Sequence, residues 1–291
     1  MNAVNKVTFK QKLQNYIKNP ASLCLFILVC VMALISVAVF LYMVIYIFVK
    51  GIPYIKPQLF AMKYTSDNVS LMPALINTVT MTLASLLIAL PLGILSAVYL
   101  VEYARPKSKL VAAVRLTSET LSGIPSIVFG LFGMLMFVTA FRWGYSMLAG
   151  AFTLAIMILP LIMRTTEEAL RSVPVSFREG SFALGAGRLR TVFAIILPAA
   201  MPGILSGVIL AIGRVVGETA ALIYTSGTVA QIPKNLMGSG RTLAVHMFAL
   251  SSEGFHINEA YATGVILLII VFFINRLSNT IAKKLSKGKK Q

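Results

Sequence analysis

The chain has 291 residues, of which 58% are hydrophobic and 12% charged, and its mean hydropathy is +0.86. A soluble domain carries roughly 25% charged residues, so a soluble globule is excluded as the main architecture. The net charge of +17 does not mark a nucleic-acid binder, because the basic residues lie between and beyond long apolar runs rather than on one face.

An apolar run of about 20 residues crosses the hydrocarbon core of a bilayer as a helix. Six such runs follow in chain order: Ser22–Val49, Met72–Val101, Leu116–Phe141, Ser146–Met163, Phe193–Tyr224 and Asn258–Ile281. The first follows a basic leader, residues 1–21, but is too long for a signal-peptide core and is read as a retained span. The transmembrane region is expected over 22–281, with a basic tail at 282–291. The fold class expected is therefore an all-α polytopic membrane protein with six transmembrane helices.

Six spans place both termini on one side. Nineteen basic residues fall on that side: Lys6 to Lys18 in the leader, Arg105 to Arg115, Arg164 to Arg190, and Arg276 to Lys290 in the tail. The opposite side has Lys50, Lys56, Lys63, Arg142, Lys234 and Arg241. The positive-inside bias predicts cytoplasmic termini. The tail is expected to act as a topology anchor on anionic lipid.

Breakers punctuate the spans. Pro91 and Gly93 are expected to interrupt the second and Gly123 and Pro125 the third, while Pro198, Pro202 and Gly203 fall early in the fifth. Gly203, Gly207 and Ala211 recur at spacing four, a pattern that lets helices approach closely. Cys24 and Cys30 sit in the first run and read as small buried hydrophobes.

Several chemistries have no foothold. No phosphate-cradling nucleotide loop, zinc-protease motif or nucleophile elbow is present. His246, His256 and Glu253, in a predicted outward loop, are poorly spaced for a metal. The chain is expected to have no catalytic site and no cofactor of its own.

The segment 164–192 between spans four and five is the predicted cytoplasmic loop. Pro174 can open a short helix, and Gly185 and Gly187 can end it. Phe177, Phe182 and Leu184 would form an apolar knob flanked by Arg178 and Glu179. A short amphipathic helix of this kind suits a partner's groove.

Charges inside spans usually face a cavity or a partner. Arg214 and Glu218 are four apart, which would place them on one helical face. Arg164 ends span four, with Glu167 and Glu168 one turn on. Arginine suits an oxyanion, since its planar fork stays charged when desolvated. Hydrogen phosphate has an O–H that Glu167 or Glu218 can accept, whereas sulfate has none. A buried ion pair between Arg214 and Glu218 is the structural alternative. Glu119, near the inner end of span three, is expected to snorkel or pair with Arg115.

Two resemblances build on these residues. Glu179-Gly180-Ser181, then Gly185, then Ile195-Ile196-Leu197-Pro198 resembles the coupling loop of permeases in binding-protein-dependent ABC importers. Gly180 and Ser181 stand where that pattern has two alanines, and their small size is expected to preserve close packing. The resemblance implies a MetI-like ABC importer permease fold. It also implies that Glu179, Gly180, Ser181, Gly185, Ile195, Leu197 and Pro198 dock on an ATPase.

The stretches Gly123–Gly130, Leu159–Glu168 and Arg214–Ala220 are similar to those of the PstA family of phosphate permeases. That resemblance implies a substrate pathway through Arg164, Glu167, Arg214 and Glu218. It implies a homologous PstC-like second permease, a PstB-like ATPase dimer that binds ATP and Mg, and an external PstS-like phosphate-binding protein. A bacterial cytoplasmic membrane location follows. Permeases for sulfate or molybdate, and a membrane scaffold in phosphate signalling, remain as alternatives.

Overall fold

A computed structural model describes residues 20–105 and 108–287. The basic leader up to Asn19, Lys107, and Lys289 and Lys290 of the tail lie outside the described residues. The described residues are helical with no strand, and the chain forms two units, Met1–Lys50 and Gly51–Gln291.

The described part of the first unit is helical and lies in α1, Pro20–Gly51, whose last residue belongs to the second unit. At 1.5 Å per residue its 32 residues extend roughly 48 Å. It is apolar all round, as befits a helix surrounded by lipid or by other helices. Cys24 and Cys30 are free and exposed on it, so the expectation that they are buried fails within this chain.

In the second unit, α2 is Met72–Val98, continued by a wider π-type turn through Tyr103. α3 is Lys109–Ser122, and α4 is Ser126–Gly133 with a π-type continuation to Ala140. α5 is Met147–Arg171 and α6 is Val175–Ala183. α7, Arg188–Thr191, runs through a π-type turn at Val192–Ile196 into α8, Leu197–Val216. α9 is Ala220–Thr225, α10 is Leu243–Glu253 and α11 is Ile257–Lys287. Among the described residues, five helical stretches are long and apolar enough to cross a bilayer, and a sixth arises if α3 and α4 count as one bent span.

The core is centred on α5. Two-thirds of its most apolar stretch is buried, against 39% or less in the other candidate spans. α2 and α8 pack on it, and the main cluster contains Met81, Ala89, Leu154, Ile158, Ala211 and Val215. Small residues permit this closeness. A Cβ at Gly93 would lie 2.7 Å from Ile162 Cγ2, and one at Gly203 would lie 2.7 Å from Ala169 Cβ. A Cβ at Gly207 would overlap the Thr165 hydroxyl. The spacing of four thus serves ordinary helix packing.

The expected interruption of the second span is absent, while that of the third is present. Pro91 and Pro202 lie inside continuous helices, and Pro198 sits in the first turn of α8. Gly93 supports a contact rather than a break. The third span, by contrast, turns by 104° at Gly123–Pro125. Proline removes a donor and keeps the preceding residue out of the helical region, and Gly123 closes α3 beside it. The fifth predicted span also divides. α8 stops at Val216 with Gly217 as its cap, and α9 begins at Ala220.

Candidate functional site

The predicted coupling segment is a short helix, as its end signals required. Pro174 precedes α6 with φ −54°, and Gly185 follows it at φ +80°, a left-handed conformation that glycine adopts without a Cβ penalty. The segment is shorter than expected, because α5 carries Arg164 to Arg171 on its final two turns. Phe177 and Phe182 are about half exposed and Leu184 is 90% exposed, so the apolar knob is presented.

Arg178 does not flank that knob. It turns inward onto Glu102, with Nη2 2.6 Å and Nε 3.1 Å from Oε1. The same guanidinium donates to the carbonyls of Val173 and Leu170 at 3.0 Å. One side chain thus ties α6 to the C-terminal end of α5 and to the end of the α2 helix. Ser181 is buried and its Oγ is 2.8 Å from Thr191 Oγ1, which explains a small residue there. Gly180 is different: a Cβ would meet nothing within 4 Å, so packing within this chain does not require it. Glu179 and Pro198 are exposed, Ile195 and Leu197 half-buried. The segment that resembles the coupling loop therefore combines a docked face with an exposed one.

At the end of α5, the charged groups form a cluster around a cavity of about 260 Å³ lined by Arg115, Ser118, Glu119, Arg164, Glu167 and Arg171, among others. Glu167 accepts from Arg115, with Nη2 at 3.0 Å, and lies 3.7 Å from Arg171 Nη2. Arg164 pairs with Glu168 at 3.2 Å across one turn. Arg115 therefore reaches Glu167 rather than Glu119. The Arg115–Glu167 bridge joins α3 to α5 beyond the 104° elbow. Both arginines are at least one-third exposed, so the cluster adds little to stability.

Arg214 and Glu218 do not share a helical face, since Gly217 ends the helix between them. Glu218 is buried and its Oε1 accepts from the backbone N–H of Ala221 at 3.1 Å, placing negative charge at the start of α9 where the helix dipole favours it. Arg214 occupies the last turn of α8, where the dipole favours a cation. It flanks a face that the chain leaves uncovered: Leu210 is 58% exposed and nothing lies within 4 Å of a Cβ at Gly213. Among the described residues no ion pair joins Arg214 to Glu218, so the structural ion-pair alternative does not hold.

No group of three or more His, Cys, Asp and Glu side chains could hold a metal among the described residues. The predicted outward loop contains α10, bounded by Thr242 and by Gly254 at φ +77°. His246 lies inside it and is fully buried. Residues missed by sequence reasoning include Glu102, the inward role of Arg178, and the links from Arg115 and Arg171 to Glu167. One signal was available. The chain has nine acidic residues against 26 basic ones, so each carboxylate near an apolar run has basic partners in excess.

A helical bundle with an exposed short helix after its central span is the layout that the coupling-loop resemblance implies. Residues 89–291 match the family of binding-protein-dependent transport system inner membrane components, and the chain belongs to that family. Within it, the chain is 36% identical over 230 residues to the phosphate transport system permease protein PstA of Pasteurella multocida, covering 78% of this chain and 81% of that one. It is 37% identical over 263 residues to the probable ABC transporter permease protein YqgI of Bacillus subtilis, covering 83% and 89%. Among solved structures, it resembles the bacterial alginate ABC transporter with TM-score 0.64 and 17% identity, covering 93% and 98%. It also resembles the MetNI methionine transporter with TM-score 0.59 and 22% identity, covering 74% and 95%. The fold is thus MetI-like, and the protein is multi-pass in a membrane.

Proposed function

We propose that this chain is the A-type permease subunit of an ATP-driven importer of inorganic phosphate in the bacterial cytoplasmic membrane. The likeness to a phosphate transport permease along most of both chains carries the substrate assignment. Both termini and α6 face the cytoplasm, consistent with the distribution of basic residues. A PstC-like permease completes the path, a PstB-like ATPase dimer binds ATP and Mg and receives the Phe177–Leu184 knob, and a PstS-like protein delivers phosphate from outside. The chain binds no nucleotide and catalyses no covalent step itself.

Arg214 supplies charge to the pathway from the uncovered flank of α8. Glu218 keeps its second carboxylate oxygen for a donor, and Glu167 sits between two arginines at the inner cavity. Labelled-phosphate uptake in cells lacking their own phosphate transporters tests the assignment. With its partner subunits the chain is expected to restore ATP-dependent uptake. Arg214→Gln is expected to insert normally yet lose at least about tenfold in uptake, because a charge-assisted hydrogen bond contributes roughly 1.5–3 kcal/mol. An assembled transporter that moves sulfate or molybdate but no phosphate would replace the substrate.

Selectivity gives a second test. A buried acceptor left unpaired by the wrong substrate discriminates strongly. Glu167→Gln and Glu218→Gln are each expected to lower the phosphate-over-sulfate uptake ratio, with a loss of about tenfold or more at whichever residue meets the anion. If neither variant changes the ratio, phosphate is not recognised through these carboxylates.

A further inference from the structure

At the opposite end of α2 from Glu102, four polar groups converge where α10 begins. Arg241 is 4% exposed, and its Nε and Nη2 have no hydrogen-bond partner among the described residues. Its guanidinium carbon rests 4.8 Å above the ring of Tyr64. Thr242, the residue before the first turn of α10, is 2% exposed, and its hydroxyl is likewise unpartnered. One turn further on, His246 is fully buried and stands edge-on to Tyr64 at 6.0 Å. No acidic side chain among the described residues pairs with Arg241 or His246.

The surroundings hold these groups in place. The Arg241 N–H donates to the Val229 carbonyl at 2.9 Å. The Asn77 amide donates to the carbonyls of Gln231 and Arg241 at 2.8 and 3.1 Å. The Leu243 N–H donates to Thr78 Oγ1 at 2.8 Å. Burial and the neighbouring Arg241 cation push the His246 imidazole down to about 3, against an opposing effect from the Val69 backbone. An Arg held so far from water without a counter-charge carries a desolvation penalty. A helix N-terminus and an unpartnered buried cation both select negative charge. Tyr64 also lines a cavity of about 550 Å³ with Lys63, Val229 and Gln231. A liquid water takes up roughly 30 Å³, so this space admits a hydrated ion.

We propose that Arg241, Thr242 and His246 form a subsite for a free tetrahedral oxyanion, behind the Tyr64 ring that packs on Arg241 and His246 and also lines the cavity bounded by Lys63. It is distinct from the Arg164 and Arg214 pathway groups. The arginine fork donates to two oxygens, and the Thr242 hydroxyl and the imidazole N–H supply further donors. In the topology given above it lies on the outward side, where a carrier would release its anion. Only the choice of phosphate as the ion rests on the phosphate-import reading.

The test is amide hydrogen exchange on the full-length chain in lipid nanodiscs, with inorganic phosphate, sulfate or chloride at matched ionic strength. Phosphate at ten times its Kd is expected to slow exchange of the 241–247 segment roughly tenfold, the factor that mass action gives when only the closed state binds. Arg241→Gln is expected to abolish the effect, and Arg241→Lys to weaken it. The proposal is overturned if neither oxyanion protects the unaltered chain, or if Arg241→Gln is protected equally. Should Arg241→Gln not insert, unchanged protection in both Arg241→Lys and His246→Phe overturns it. Protection by sulfate without phosphate upholds the subsite and removes the phosphate-import reading instead. Nanodiscs of zwitterionic and anionic lipid separate the sources: protection that follows the lipid rather than added phosphate assigns the site to a headgroup and overturns the free-ion proposal.

Discussion

Glu102→Ala is expected to insert into the membrane and assemble, yet to lose at least about tenfold in transport while ATP hydrolysis continues. The Arg178 guanidinium is mostly buried and bonded to Glu102 and to two backbone carbonyls. Removing one partner of such a pair destabilises by about 3–5 kcal/mol, because the other charge stays buried without compensation. Here that energy holds α6 to the ends of α2 and α5. Its loss frees α6 from the spans that the proposed coupling would move. Arg178→Lys tests the geometry, since an ammonium cannot reproduce the planar fork. It should fall between Glu102→Ala and the unaltered chain. Uptake and ATPase activity of the assembled transporter, measured together, decide the matter. Full coupled uptake by Glu102→Ala would mean that α6 is held by its other contacts alone.

The second large effect is structural. Gly207→Leu should destabilise the chain by about 1–3 kcal/mol or more, the range for overpacking. A Cβ there would overlap Thr165 Oγ1 and lie 2.6 Å from Thr165 Cβ. Thr165 cannot simply swing away, because its hydroxyl already bonds the carbonyls of Leu161 and Ile162 at 2.9 and 3.2 Å. α5 and α8 would therefore have to separate. Gly213→Leu is the control. Nothing lies within 4 Å of its Cβ, and replacing a helical glycine gains up to about 1 kcal/mol in propensity. Thermal aggregation of the purified chain should separate the two variants. Gly207→Leu with Thr165→Gly should recover part of the loss, since contacting sites couple. Equal stability of Gly207→Leu and Gly213→Leu would show that the α5–α8 contact yields easily.

Hydropathy made the spans legible because lipid demands long apolar helices. The short helix α6 was legible because Pro174 and Gly185 are local signals that act through their own backbone. Other features depended on distant partners. Glu102 and Arg178 are 76 positions apart, and no periodicity links them. The spacing of Arg214 and Glu218 was misleading because Gly217 ends the helix between them. The third span was read as one run because hydropathy sums across a bend. It registered the breakers at Gly123 and Pro125 but not their 104° angle. α10 escaped notice because its 11 residues are too few for a spanning window. The burial of Arg241 was hidden for the same reason as the Glu102 contact: its neighbours come from Tyr64 and Asn77, far back in the chain.

The π-type turn at Val192–Ile196 has a consequence for how this protein can change over generations. Such a turn holds one residue more than an α-helical turn. Deleting that residue would restore regular winding and leave the faces of everything after it in place, whereas deleting a residue from the regular first turns of α8 would rotate everything after it by about 100°. In that second case Arg214 would leave its flank, and Gly203 and Gly207 would leave α5. Between α6 and α8, the chain therefore tolerates the loss of a single codon within the wide turn more readily than in the regular helix that follows it.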